Sequence, residues 1–198
     1  MTDAVICLSG GLDSTVLAYD ILNTRPGLAR QDLSAVCFNY GQRHYTEIDH
    51  ARRIAETLRI DFEVLEIAGL FGCNDNLLTG KGSSPVVPNR NAIFLSIAVS
   101  YAITRGARAV YYAPTVEDYE LFSDCRPEFV DALNELLQSS EIDCLVFAPF
   151  IRKTKKEIVE LGRRLMVPFD QTWSCYEGTF EPCGACLACL NREEALRV

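Results

Sequence analysis

The sequence predicts an α/β protein, a parallel five-stranded sheet with helices on both faces. Two observations carry this. Strand-like and helix-like segments alternate along the chain, and each pair has the length of a β-α unit, which packs its helix against a parallel sheet. No internal repeat or linker divides the 198 residues, a length that suits one well-buried domain. The expectation is therefore a single domain over 1–198, with 172–198 as a C-terminal extension.

Ala4–Leu8 (AVICL) is a short β-rich run, followed by a glycine turn and an amphipathic helix from Ser14 to about Asn23. Leu33–Tyr40 is a second strand and Thr46–Leu58 a second helix. Phe62–Ile67 alternates as a third strand, and Gly69–Pro88, rich in Gly, Asn and Ser, reads as a functional loop. Asn91–Thr104 is a buried helix, Ala109–Ala113 a strand, Pro127–Gln138 a helix, Cys144–Ala148 a strand and Lys155–Leu165 a helix. The last twenty-five residues lack core-forming periodicity and read as an appendix held by cysteines.

With 48% hydrophobic and 23% charged residues, the composition is that of a soluble globular protein. No run approaches the ~20 apolar residues of a spanning helix. The start MTDAVICLSGG is no signal peptide, so a cytoplasmic location is expected. A net charge of −8 without a basic patch disfavours a long nucleic-acid partner. The densest basic cluster, Arg152, Lys153, Lys155 and Lys156, reads as a solvated helix start that could still hold a nucleotide's phosphates.

Nine cysteines, an odd number without a secretory start, argue for reduced thiols. Cys7 and Cys37 sit inside strand-like runs. Cys175-x7-Cys183-x2-Cys186-x2-Cys189 supplies the four thiolates of a closed tetrahedral zinc site, with Gly184 where the chain must curve tightly. Such a site is structural, one zinc per chain, with no position open for water. An iron–sulfur cluster is the rival, because C-x2-C-x2-C also opens a ferredoxin run, but Leu190, Asn191 and Arg192 follow where that run has its fourth cysteine.

Leu8-Ser9-Gly10-Gly11-Leu12-Asp13-Ser14 lies where the first strand meets the first helix, and ligands of open α/β sheets bind there. Two glycines admit close backbone approach, and the helix start offers free N–H groups and partial positive charge. Ser9 and Ser14 add hydroxyls, and a magnesium ion would reconcile Asp13 with phosphate. A plain tight turn with an Asp or Ser cap is the bland alternative. The loop lacks the Gly-Lys-Ser/Thr ending of a Walker loop.

This segment resembles the SGGxDS signature of the PP-loop ATP pyrophosphatases, of adenine-nucleotide alpha hydrolase-like fold. That resemblance implies ATP binding by Leu8, Ser9, Gly10, Gly11, Leu12, Asp13 and Ser14, AMP transfer to a substrate oxygen and release of pyrophosphate. An ordered set is similar to the 7-cyano-7-deazaguanine synthases: SGGLDS at 9–14, YGQRHYTE at 40–47, VPNRN at 87–91, DCRPEF at 124–129, TWSCY at 172–176 and CGACLAC at 183–189. The family implies three substrates, 7-carboxy-7-deazaguanine, magnesium ATP and ammonia, joined through an amide that is dehydrated to the nitrile. It makes Asp13, Ser14 and Arg126 catalytic candidates and Tyr40, Gln42, Arg90, Asn91 and Asp124 substrate-binding ones. Asp124 suits the paired donors of a guanine-like edge, and Arg90 and Arg126 suit a carboxylate or triphosphate. His44 belongs to the motif; His50 reads as a helix-surface residue.

The loop Asp118–Arg126 (DYELFSDCR) departs from the family's D-x-S-G-Y-P-D-C-R: Leu121 stands for a glycine, Phe122 for a tyrosine and Ser123 for a proline. A second reading follows, a synthase-like ligase of an antiviral defence cluster that stops at the amide or couples to another amine, even a protein N-terminus. A zinc-dependent interaction module and a tRNA thiolase are further alternatives, opposed by the intact SGGLDS and by the acidic charge. A homodimer is compatible with either ligase reading.

Overall fold

The computed structural model describes residues 2–25, 27–43, 45–68, 78, 86–177 and 181–197. His44, Cys73 and most of the predicted Gly69–Pro88 loop lie outside them. The strands β1 (Ala4–Cys7), β2 (Leu33–Asn39), β3 (Asp61–Glu66), β4 (Ala109–Tyr111) and β5 (Leu145–Phe147) form one sheet of order β3-β2-β1-β4-β5, all pairings parallel. The helices among the described residues are α1 (Leu12–Thr24), α2 (Thr46–Leu58), α3 (Arg90–Thr104), α4 (Pro127–Ser139), α5 (Lys155–Arg164) and α6 (Leu187–Leu196).

β1 and β2 are apolar on both faces because both faces are covered. Ala4, Ile6, Leu33, Ala35 and Cys37 pack under α1, α2, α5 and α6, whereas Val5, Val36 and Phe38 pack under α3 and α4. β3, at the edge, only half-buries Phe62, Val64 and Leu65 and exposes its other positions. α2 turns Ile48, Ala51, Ile54, Ala55 and Leu58 inward at helical spacing. α4 starts at Pro127, whose missing N–H is no loss in a first turn. α5 starts with a capping box: Thr154 Oγ1 accepts the Glu157 N–H, and the Glu157 carboxylate accepts the Thr154 N–H at 2.8 Å.

The tail is not an appendix. α6 adds Ala195 to the core, Leu196 packs beside it, and Arg163 Nη2 donates to the Leu196 carbonyl at 2.8 Å. The sequence hides this helix because its large apolar residues, Leu187 and Leu190, face outward while the small Cys189 and Ala195 face inward.

After β3 the chain crosses to the other side of β1, so connections leave on opposite faces and open a crevice at the carboxyl ends of β1 and β4. The glycine loop, Tyr40, Arg90 and Asn91 gather there.

Candidate functional site

Gly10 has φ +76°, and a Cβ there would strike the Glu47 carbonyl and lie 2.7 Å from the Ala51 nitrogen of α2, so only glycine fits. Ser9 Oγ accepts the Gly11 N–H at 3.2 Å and lies 3.0 Å from Ser14 Oγ, while Ser14 Oγ donates to the Gly11 carbonyl. Gly11 caps α1 without a side chain, which leaves first-turn N–H groups for an anion to complete.

Lys155 Nζ, on the first residue of α5, lies 2.7 Å from Asp13 Oδ2, with the two side chains only 18% and 22% exposed. Lys155 is thus no solvated helix-start residue: it crosses to the glycine loop. Burial alone would lower its pKa, but Asp13, Asp118 and Glu117 outweigh burial and raise it, so the ammonium persists. Burial raises the Asp13 carboxyl against the pull of Lys155. Asp13 Oδ1 is buried without a hydrogen-bond partner, an oxygen suited to a hard divalent cation. Spacing did not pair these residues, since 142 positions separate them.

A cavity of about 300 Å³ extends from this loop across the ends of β1, β2 and β4. Its far end is aromatic: Phe38 stacks on Phe94 at 4.3 Å, Tyr40 tilts against Phe94 at 5.4 Å, and Tyr176 lines the same space. Arg90 begins α3 there, with Nη1 donating to the Tyr40 hydroxyl at 3.3 Å and its guanidinium 5.6 Å over the Tyr40 ring. Desolvation opposes the Arg90 charge, but Tyr40, Glu47 and Asp124 more than offset it and keep the guanidinium protonated. Burial pushes the Cys7 and Cys125 thiols up to about 12, so neither is a thiolate at neutral pH.

Of the predicted substrate residues, Tyr40, Arg90 and Asn91 line this cavity. Gln42 is buried behind it: its amide accepts the Tyr40 N–H at 2.9 Å and donates to the Phe38 carbonyl and to Glu47. Asp124 accepts the Asn91 backbone N–H at 3.0 Å and lines a second cavity of about 320 Å³, which shares Arg90 and Phe122 with the first. Arg126 is exposed and donates to the Tyr119 carbonyl at 3.0 and 2.9 Å, outside the residues lining either cavity. Among the described residues, the carboxylates that line the first cavity are Asp13, Glu47 and Asp118. The sequence had not singled out Glu47 beyond its motif.

The Cys175, Cys183, Cys186 and Cys189 sulfurs all lie within 4.8 Å of one another. A tetrahedral centre with Zn–S of about 2.3 Å places its sulfurs about 3.8 Å apart, so the cluster fits a metal with little adjustment. Cys175 Sγ accepts the Glu177 and Cys183 N–H groups, and Cys183 Sγ accepts that of Cys186. N–H groups of Ala185 and Cys186 hold the Cys183 thiol down to about 7. Gly184 turns at φ +70° between these ligands.

The chain matches the family model described as "Queuosine biosynthesis protein QueC" over residues 3–198. It is 40% identical to the 7-cyano-7-deazaguanine synthase of Archaeoglobus fulgidus, covering 97% of this chain and 84% of that one. It is 34% identical to that of Caldicellulosiruptor saccharolyticus, covering 98% and 90%. Among solved structures, the U34-tRNA thiolase NcsA of Methanococcus maripaludis, with its [4Fe-4S] cluster, matches at TM-score 0.62 and 19% identity over 98% of this chain and 64% of its own. The NH3-dependent NAD synthetase of Campylobacter jejuni matches at 0.54 and 17%, over 85% and 66%. This chain spans under two thirds of each of those two, and the likeness is one of fold.

Proposed function

Because the chain belongs to the QueC family of queuosine-biosynthesis proteins, we propose that it is a 7-cyano-7-deazaguanine synthase that activates a carboxylate with ATP and aminates it with ammonia. The single observation that carries the chemistry is the glycine loop with its buried Asp13–Lys155 pair opening into one cavity with Arg90. The loop's N–H groups and Lys155 would take the β and γ phosphates, and Asp13 Oδ1 and Asp118 would hold magnesium, which screens their charge. The planar heterocycle would lie against Phe94 and Tyr40, with Arg90 presenting its carboxylate to the α-phosphorus. A carboxylate oxygen then attacks that phosphorus and pyrophosphate leaves. Ammonia attacks the acyl carbon and AMP departs with one carboxylate oxygen. The amide oxygen takes a second AMP, and its loss with two N–H protons leaves the nitrile. With the cavity thiols held protonated, a thiolate nucleophile is disfavoured and AMP transfer favoured.

Glu47 is the better candidate than Asp124 for the paired donors of the deazaguanine edge, since it lines the cavity at the end where it bears on Arg90 and Tyr40. The four cysteines would hold a structural zinc, which ties the C-terminal segment and supplies no reaction step.

Incubation with 7-carboxy-7-deazaguanine, magnesium ATP and ammonium tests the reading. The nitrile should appear by mass with two AMP per product. ADP and phosphate would overturn AMP transfer, and an amide that persists under saturating ammonium would remove the second activation.

A further inference from the structure

The segment that leads into the first cysteine touches the glycine loop directly. The Trp173 backbone N–H donates to the Gly10 carbonyl at 2.8 Å. The same tryptophan is 5% exposed and packs in a small core with Cys175 and Cys189, its indole Nε1 donating to the Cys175 carbonyl at 2.9 Å. One residue therefore belongs both to the cysteine cluster and to the wall of the loop.

His50 fixes that residue from the other side and is not the surface residue its sequence suggested. Its Nδ1 lies 2.6 Å from the Gln171 carbonyl, and because a carbonyl only accepts, Nδ1 carries the proton. Its ring stacks on Trp173 with centroids 5.3 Å apart and planes 28° apart. A Cβ on Gly10 would lie 3.2 Å from the His50 Cβ, so the loop is packed between α2 and the 171–173 strand of backbone. Arg192, three residues beyond the last cysteine, closes the far side by donating to the Phe169 carbonyl at 2.5 Å and Thr172 Oγ1 at 2.6 Å.

We propose that His50 and Trp173 are positioning residues that couple the metal state of the cysteine cluster to the conformation of the nucleotide loop. The idea rests on the ATP reading given above. With the metal in place, Cys175 is anchored and Trp173 holds Gly10 at the conformation the phosphates need. Without it, residues 172–175 lose their anchor and the loop samples other states, so nucleotide affinity falls. Linkage requires the reverse effect to be equally large: bound nucleotide raises the equilibrium metal affinity by the same factor.

The test uses the full chain, whose single tryptophan is Trp173. Chelation should shift its emission, weaken magnesium ATP binding by about tenfold, and speed hydrogen exchange of the 9–14 amides while circular dichroism stays folded. His50→Ala, which touches no cysteine, should keep its metal, weaken ATP about fivefold, and speed the same exchange. A merely structural role would lower the melting temperature and leave affinity and loop exchange at 25 °C unchanged. Unchanged 9–14 exchange in His50→Ala would overturn the coupling, whether or not chelation unfolds the chain. Failure of the parent protein to bind ATP would instead overturn the ATP reading, and loop exchange would still judge the latch.

Discussion

At one end of the cavity, consecutive residues from Ser9 to Ser14 bond to one another and turn straight into α1. At the other, Tyr40, Glu47, Arg90 and Tyr176 arrive from just past β2, from α2, from α3 and from the C-terminal segment. The first end is a local device and, on the proposed reading, would set the kind of reaction, since backbone N–H groups and a helix start recognise phosphate in any company. The second is assembled by the fold, and on the same reading its aromatic faces and the Arg90 guanidinium would select what is activated. Damage at the first should abolish turnover for every substrate, whereas damage at the second should change which substrate binds.

The largest effect should come from the loop end. Asp13→Ala or Ser14→Ala should abolish turnover while leaving circular dichroism unchanged, since both lie in the first turn of α1 and outside the hydrophobic core clusters. Lys155→Met should lower kcat by about 10²–10³-fold with KM for the heterocycle nearly held, as expected for a charge that acts on the departing phosphates. A rise in heterocycle KM with kcat intact would erase the contrast between the two ends.

Arg90→Ala should do the opposite. Loss of a charged hydrogen bond, worth about 1.5–3 kcal/mol, should raise KM for the carboxylate substrate by roughly 10–150-fold and leave ATP binding in place. Arg90→Lys should not restore it, because an ammonium cannot offer a planar fork.

The cysteine cluster lies outside this contrast, and a metal held there would brace the segment that carries Trp173 and Tyr176. Elemental analysis should find one zinc per chain, and Cys183→Ser should lose it together with thermal stability. Iron with labile sulfide would replace zinc by a cluster.

These contrasts also explain what the sequence made readable. Ser9–Ser14 and the four cysteines were legible because their partners lie within a few residues, and so were the ordered strands and helices, whose periodicity follows from covered faces. Lys155 was read as solvated because its partner stands 142 positions away. Gln42 was read as touching substrate because motif membership does not distinguish a side chain that lines a cavity from one that braces its wall. Motif membership likewise says nothing of the bonds that Arg126 and Asp124 make here: Arg126 donates to the Tyr119 carbonyl, and Asp124 accepts the Asn91 N–H of α3 while lining the second cavity. α6 escaped because its inward residues are small.

A smaller effect concerns pH. The raised Lys155 pKa means that its contribution to stability is fully present below the unfolded value of about 10.4 and is lost as pH rises through the folded one. The stability gap between the parent chain and Lys155→Met should therefore stay constant from about pH 6 to 9 and narrow only above about pH 10.4. Narrowing near neutrality would mean that the ammonium is not held by its carboxylates.

The most direct measurement of AMP transfer follows an oxygen. With 7-carboxy-7-deazaguanine labelled with ¹⁸O in both carboxylate positions, each AMP formed should carry one ¹⁸O, and two labelled AMP should accompany each nitrile. Unlabelled AMP, or label in inorganic phosphate beside ADP, would contradict the account.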